Sequence, residues 1–302
     1  MKILYMIPYG GLGNQLFQIA AAMAMNSSEI RVLTDLGFAR RNSKGEIELE
    51  SWEWNSRINF HHSPRGSLFS RRLLNLLLRM GTEKRREVFL KVLEILSTPY
   101  FSILLGNLIS FEIGKGLGFS RIKIKKRTLL VGYFQSSIFA QSVIDELIQI
   151  QPKYLSSLAL DLIEEAKRKN ILIVHVRRGD YLNEAFGILD DEYYQRALET
   201  ICYGSFKEIW VFSDDIESAK SIKSLNDKSA TKFIDDRSLE SSEIMEVMRF
   251  GGGFIVANST FSWWAAQLRY KRFAQVVCPS PWFKFTESPE NIVDKEWISL
   301  SW

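Results

Sequence analysis

The second half of the chain alternates short apolar segments with helical patterns. The predicted strands are residues 171–176, 209–212, 232–234, 254–257 and 275–278. The predicted helices between them are residues 191–201, 217–224, 241–249 and 261–270. Strands that alternate with helices favour an α/β fold with a parallel sheet covered on both faces. Ligands of such sheets bind beyond the carboxyl ends of the strands, so the residues that follow each strand are the candidates for a site.

Length and composition are those of a globular protein with two domains. The chain has 302 residues, of which 46% are hydrophobic and 25% charged, which excludes a disordered chain and a disulfide-rich miniprotein. The 39 basic and 35 acidic residues give a net charge of +4, which argues against nucleic acid as the main partner. Cys202 and Cys278 lie far apart in sequence, and we expect both to be reduced and largely buried.

The first half begins with a strand, a glycine turn and a helix. Residues 2–9 form the predicted strand, and apolar residues recur at helical spacing after the turn. A strand over 128–133 and helices over 137–150 and 155–169 follow. We therefore expect two domains, residues 1–160 and 161–302.

A basic helical insertion is predicted within the first domain, at about residues 60–125. Leucine and valine stripes alternate there with lysine and arginine. One interpretation is a helix pair with a solvated basic face, and the other is contact with anionic lipid at a membrane surface or with a lipid-linked acceptor. The most apolar segment, residues 99–113, is interrupted by polar residues and is shorter than the about 20 residues of a spanning helix, so we expect no insertion into the membrane.

Two cations lie at the end of the first predicted strand of the second domain. His175 and Arg177 alternate with Arg178 along the strand, so the first two project to one side and Arg178 to the other. Buried arginines need an anionic partner. That partner is either an internal carboxylate, such as Asp180, or a diphosphate, whose oxygens suit a guanidinium fork.

The next two strands end in acidic residues. Ser213, Asp214 and Asp215 follow one strand, and Asp235 and Asp236 follow the other. These side chains can cap the helices that follow, or they can accept hydrogen bonds from a nucleotide. Adjacent carboxylates without further ligands are a weak metal signal, and we expect no metal site.

Short polar side chains follow the fourth strand. Asn258, Ser259 and Thr260 begin a predicted helix, where free backbone amides and the helix dipole favour an anion. Trp263 and Trp264 are expected to pack in the core behind them.

The glycine turn of the first domain does not have the spacing of a dinucleotide-binding fingerprint. Its glycines include Gly11 and Gly13 but do not form G-x-G-x-x-G, so we expect no nicotinamide or flavin cofactor. The turn still allows a ligand to approach the backbone closely. Asn14 and Gln15 would then face the cleft between the domains, although Asn14 can equally cap the helix.

Together these motifs resemble one family. The segments GGLGNQLFQ at 10–18, HVRRGDY at 175–181, FSDD at 212–215 and NSTFSWW at 258–264 are similar, in order and spacing, to those of the bacterial α-1,2-fucosyltransferases of glycosyltransferase family 11. The basic helical region is the part that fits poorly. The resemblance implies a GT-B-type fold, in which two Rossmann-like domains face each other across a cleft.

The resemblance also implies an activity. GDP-β-L-fucose would be the donor substrate, and fucose would pass with inversion to the 2-hydroxyl of a galactose-terminated oligosaccharide, such as a lipid-linked O-antigen or lipooligosaccharide unit. No cofactor and no metal are implied. The alternatives are a different linkage or sugar nucleotide on the same scaffold, and a non-catalytic protein that binds a glycan or a nucleotide.

The resemblance assigns roles to individual residues. Arg177 would hold the β-phosphate and stabilise the charge on the departing GDP. His175 and Asp236 are expected at the nucleotide, and Ser259 and Thr260 at the phosphates. The remaining candidates for donor binding are Arg178, Ser213, Asp214, Asp215 and Asn258.

The catalytic base stays open between alternatives. Glu184 follows the arginine motif, where related α-1,6-fucosyltransferases carry a glutamate, although its offset from His175 is one residue short. Asp180 is the second candidate, and a third alternative is that a phosphate takes the proton.

The family and the lack of a predicted anchor lead us to expect a cytoplasmic enzyme, with peripheral contact to the inner membrane as an open alternative.

Overall fold

Two parallel sheets, one in each half of the chain, organise the computed structural model. The structure describes residues 3–25, 28–34, 38–62, 110–111, 127–130, 132–179, 186–235 and 237–302. In these parts of the first half the strands are β1 (Ile3–Met6), β2 (Tyr9–Gly10), β3 (Glu29–Leu33), β4 (Phe38–Ala39), β5 (Ile58–His61), β6 (Ser110–Phe111) and β7 (Arg127–Leu130). The sheet has the order β5-β3-β1-β7-β6, and β2 pairs separately with β4.

Four helices accompany the described strands of the first half and its connection to the second. They are α1 (Leu12–Ala24), α2 (Ser137–Ser142), α3 (Ile144–Leu147) and α4 (Ser157–Arg168). A 3-10 turn, Glu48–Ser51, packs against α1. The helix predicted over 137–150 is therefore two short helices. The boundary predicted between residues 160 and 161 falls inside α4, and the division into domains stays a prediction.

The second sheet has the strand order of a doubly wound fold. Its strands are β8 (Ile171–Val176), β9 (Glu208–Ser213), β10 (Thr231–Phe233), β11 (Gly253–Ile255), β12 (Gln275–Pro279) and β13 (Ile298–Leu300). All pair in parallel, in the order β10-β9-β8-β11-β12-β13. The chain thus winds outward from β8 in one direction and then from β11 in the other. Ligands of such sheets bind at this switch point.

Helices connect these strands much as the sequence predicts. They are α5 (Asp191–Thr200), α6 (Ile216–Lys220), α7 (Lys223–Asn226), α8 (Ser241–Arg249) and α9 (Thr260–Gln267). The bounds of β8 and α8 agree with the prediction, whereas the helix predicted over 217–224 is broken into α6 and α7. The sequence prediction did not include β13, which has only three residues.

The two halves share a core. Phe17 of α1 packs against two tryptophans of α9, with ring centroids 4.5 Å from Trp263 and 5.0 Å from Trp264. All three side chains are fully buried, so the tryptophans take the core position that the sequence predicts. Burial of large aromatic rings contributes strongly to stability, and here it joins one half to the other.

Hydrogen bonds from Arg249 join the segment that connects the two halves to the helices of the second half. It is fully buried at the end of α8. Its guanidinium donates to the carbonyls of Ile148, Ile150 and Leu268 and pairs with Glu246 at 2.7 Å. The burial of this charge is tolerated because three carbonyls and a carboxylate accept hydrogen bonds from the guanidinium.

Two other sequence predictions have different outcomes. Cys278 is buried as expected, but Cys202 is exposed, because it lies in the turn after α5. The basic helical insertion lies almost wholly outside the described residues. Within the part of the chain that the structure describes, no helix is long and apolar enough to cross a bilayer.

We expect Arg249→Met to lower the free energy of unfolding by about 3–5 kcal/mol, because it leaves Glu246 and three carbonyls without their buried donor. Urea unfolding measures the loss. Arg168→Met, an exposed arginine of α4, is the matched control and should change stability by no more than about 0.5 kcal/mol. Equal effects of the two substitutions would contradict this role of Arg249.

Candidate active site

A cavity of about 1090 Å³ lies between the two halves. It opens at the carboxyl ends of β8 and β11, the switch point of the second sheet, and its opposite wall carries the glycine turn of the first half. The first half contributes Gly10, Gly11, Leu12, Gly13, Asn14, Arg40, Glu48, Tyr133 and Gln135. A volume at the upper end of the range for small-molecule pockets has room for two substrates.

Two helix N-termini meet in this cavity. The N-cap of α1 is Gly11 and the N-cap of α9 is Ser259, and neither side chain caps its helix. A Cβ on Gly13 would lie only 2.4 Å from the carbonyl carbon of Thr260, so the two backbones touch. The aligned dipoles of both helices favour an anionic group here, and at α1 the carboxylate of Glu48 lies beside Gly11 and the amide of Leu12.

The glycine-turn predictions are met only in part. Gly11, Gly13 and Asn14 line the cavity. Asn14 does not cap α1, since Gly11 holds that position, and its Oδ1 accepts from Gln135 Nε2 at 2.9 Å.

Gln15 does not face the cleft as predicted. It is fully buried, donates to the carbonyls of Gly10 and Arg40, and accepts from the amide of Leu49. One residue further along a helix is a rotation of about 100°, which carries this side chain away from the cavity.

At the end of β8 the two arginines separate as strand alternation predicts. His175 and Arg177 line the cavity, and Arg177 pairs with Asp214 at 3.2 Å. Arg178 is buried away from it and donates to the carbonyl of Leu189 at 2.7 Å. Donor binding by the Arg178 guanidinium, predicted from the sequence, therefore finds no support in its position.

His175 is a neutral imidazole in this site. It is 4% exposed. Burial and the neighbouring charge of Arg177 lower its pKa to about 3. Its Nδ1 makes no hydrogen bond within the described part of the chain, so it is available to a ligand that fills the cavity.

The two acidic residues after β9, Asp214 and Asp215, have different hydrogen-bond partners. Asp214 accepts from the amide of Arg178 at 2.9 Å and holds Arg177. Asp215 caps α6 by accepting from the amide and the hydroxyl of Ser218, which lower its pKa. Ser213 bonds to the backbone of Asp215. All three line the cavity.

The polar residues after β11 also differ among themselves. Ser259 and Thr260 line the cavity at the start of α9. Asn258 is buried behind them and donates to the carbonyls of Phe186 and Gly187, so it positions that loop and is not among the lining residues. Asp180, Glu184 and Asp236 lie outside the described residues.

Sequence reasoning missed Glu48. It projects from the 3-10 turn of the first half, is 4% exposed and lines the cavity. Its Oε1 accepts from Ser241 at 2.7 Å, and burial raises its pKa. The available signal is the apolar residues Ile47, Leu49 and Trp52 around it, which mark an otherwise polar segment as buried.

Over the described residues, no group of three or more His, Cys, Asp or Glu could hold a metal ion.

Two parallel sheets with a cavity between them form an architecture of the GT-B type. Known proteins agree with this class. The family model "Glycosyl transferase family 11" matches residues 112–301, more than half of the chain. The chain belongs to this family.

Two relatives come from Escherichia coli. The chain is 28% identical to the O-antigen biosynthesis glycosyltransferase WbnK, over 96% of this chain and 98% of that protein. It is 27% identical to an alpha-1,2-colitosyltransferase, over 92% and 91%. A solved structure of a family 9 glycosyl transferase from Veillonella parvula DSM 2008 has a similar fold, with a TM-score of 0.52, 10% identity and coverage of 99% of this chain and 87% of that one.

We expect Gly13→Ala to lower the free energy of unfolding by about 1–3 kcal/mol, because its methyl group must displace the backbone of α9. Gly204→Ala, where a Cβ meets nothing within 4 Å, is the control and should stay within about 0.5 kcal/mol of the parent protein. Urea unfolding compares them, and a stability unchanged by Gly13→Ala would show that the helices do not touch.

Proposed function

We propose that the protein transfers L-fucose from GDP-β-L-fucose to the 2-hydroxyl of a galactoside during O-antigen synthesis. The observation that carries this proposal is the position of Arg177, which Asp214 holds in the cavity. The N-termini of α1 and α9 line the same cavity. This arrangement suits a diphosphate, which a guanidinium binds through paired hydrogen bonds.

Arg177 and the two N-termini would also serve the reaction. When the sugar leaves, negative charge builds on the β-phosphate, and fixed positive groups stabilise that charge most when water is excluded. We propose that these groups act in place of a divalent metal. A neutral His175 adds a hydrogen-bonding group without adding a charge.

A second donor is favoured by one specific observation. The relative that is 27% identical over most of both chains is an alpha-1,2-colitosyltransferase, so the nucleotide of colitose is the alternative donor. The O-antigen setting is proposed from the other relative, an O-antigen biosynthesis glycosyltransferase. A cytoplasmic location and contact of the basic insertion with a lipid-linked acceptor stay predictions.

GDP release tests the proposal. We expect acceptor-dependent release from GDP-fucose with at least one β-galactoside, unchanged by EDTA, and a 2-linked product by NMR. Release only from the colitose nucleotide would replace the donor. Loss of turnover in EDTA would reject metal independence. Binding of the nucleotide without turnover on any acceptor would favour a non-catalytic protein.

Substitution of Arg177 tests its role in the reaction. We expect Arg177→Met to lower kcat by about 10²-fold or more, because the departing diphosphate loses its cation. Arg168→Met, the same change on the exposed face of α4, should leave kcat unchanged. Steady-state kinetics on folded protein decides, and equal rates for the two variants would remove Arg177 from the mechanism.

A further inference from the structure

Glu48 stands on the wall of the cavity that the first half supplies. Its main chain is fixed from two sides, since its amide donates to the carbonyl of Arg40 at 3.1 Å and the next amide, of Leu49, donates to Gln15 Oε1 at 2.9 Å. Gln15 is itself buried within α1. The backbone that carries Glu48 is therefore held by the helix whose N-terminus lines the site.

The two oxygens of the carboxylate have different surroundings. Oε1 accepts from Ser241 at 2.7 Å and lies 3.6 Å from Arg40 Nε, whose side chain is 68% exposed. Oε2 is buried, makes no close hydrogen bond within the described residues, and faces Gly11, 3.7 Å from where a Cβ would lie there. The backbone amide of Leu12, the next residue, also acts on the carboxylate. A buried acceptor of this kind gains free energy when a donor reaches it.

The other carboxylates that line the described part of the cavity belong to the second half and are already engaged. Asp214 holds Arg177, and Asp215 caps α6. Glu217 pairs with Lys220 at the surface, and Asp235 pairs with Arg237. Glu48 differs from all four in its origin and its deep burial.

Its position also suits an inverting displacement. In such a reaction the acceptor approaches the sugar from the side opposite the leaving group. The second half supplies Arg177 for the leaving group, and Glu48 comes from the facing wall. Gly11, next to Glu48, and Gly13, next to α9, are two residues apart, which is about 3 Å of rise along a helix.

We propose that Glu48 is the general base that takes the proton of the acceptor hydroxyl, an inference that rests on the proposed function. The hydroxyl oxygen forms a bond to the anomeric carbon of the sugar. The bond from that carbon to the β-phosphate oxygen breaks, and GDP leaves with the electron pair. The hydroxyl proton passes to the Glu48 carboxylate, so atoms and charges balance.

The surroundings of Glu48 shift its pKa in the direction that suits a general base. Burial raises its pKa above the usual glutamate value, and the charge of Glu240 acts in the same direction. The hydrogen bond from Ser241, the charge of Arg40 and the backbone amide of Leu12 lower the pKa and so oppose this shift. A base works best when its pKa approaches the operating pH. Activity should therefore fall as the pH drops through the raised pKa of Glu48.

The first test replaces Glu48 with its isostere. We expect Glu48→Gln to lower kcat by about 100-fold or more, to keep its affinity for GDP, and to lose the acidic limb of the pH–rate profile. Glu50→Gln is the matched control. Glu50 lies in the same 3-10 turn, is 5% exposed and also has a raised pKa, but it pairs with His62 and does not line the cavity. That variant should keep the parent rate and profile.

A second variant tests the same idea without removing the carboxylate. Ser241→Ala removes a hydrogen bond that lowers the pKa of Glu48, so the pKa should rise and the acidic limb should move to higher pH. If Glu48 had only a structural role, Ser241→Ala would not shift the acidic limb of the pH–rate profile.

The outcomes separate the two proposals. If the parent protein turns over and Glu48→Gln keeps its rate, or both variants keep the parent profile, the inference about Glu48 is wrong and the proposed function stands. If the parent protein releases no GDP with any donor and acceptor, the proposed function is wrong and this inference falls with it.

Discussion

The contact between Gly13 and Thr260 is the constraint on which the site depends. Only a residue without a Cβ allows the start of α1 to touch the start of α9, and this contact brings the facing edges of the two sheets together. Two helix N-termini then lie side by side, each with about half a positive charge. The carboxylate of Glu48 lies beside the N-terminus of α1 and offsets part of this charge, and the N-terminus of α9 favours an anionic ligand.

Arg177 and Asp214 illustrate how a charged site can be rigid before a ligand arrives. An ion pair in a partly buried position contributes little net stability by itself. Here Asp214 also accepts from the backbone amide of Arg178, which fixes the carboxylate and through it the guanidinium. A cation held in one geometry loses less side-chain entropy on binding. The pair thus favours binding and catalysis more than folding.

The sequence predicted the second sheet well because burial there leaves a local signal. All six residues of β8 are buried, and a continuous apolar run records that fact. The site was less predictable because its contacts join distant segments. Glu48 bonds to Ser241, which lies 193 positions away, and it sits in a segment without periodicity. Asn14 and Gln15 are neighbours of similar chemistry, and only the packing of α1 decides which of them reaches the cavity.

The two walls of the cavity present different chemical groups to a ligand. The second half offers cationic and amide groups that suit a diphosphate, whatever sugar it carries. On the first half, Gln135 lines the cavity, and its Oε1 is buried and makes no hydrogen bond within the described residues. A site with an unpaired buried acceptor rejects ligands that lack the matching hydroxyl far more strongly than an apolar pocket does.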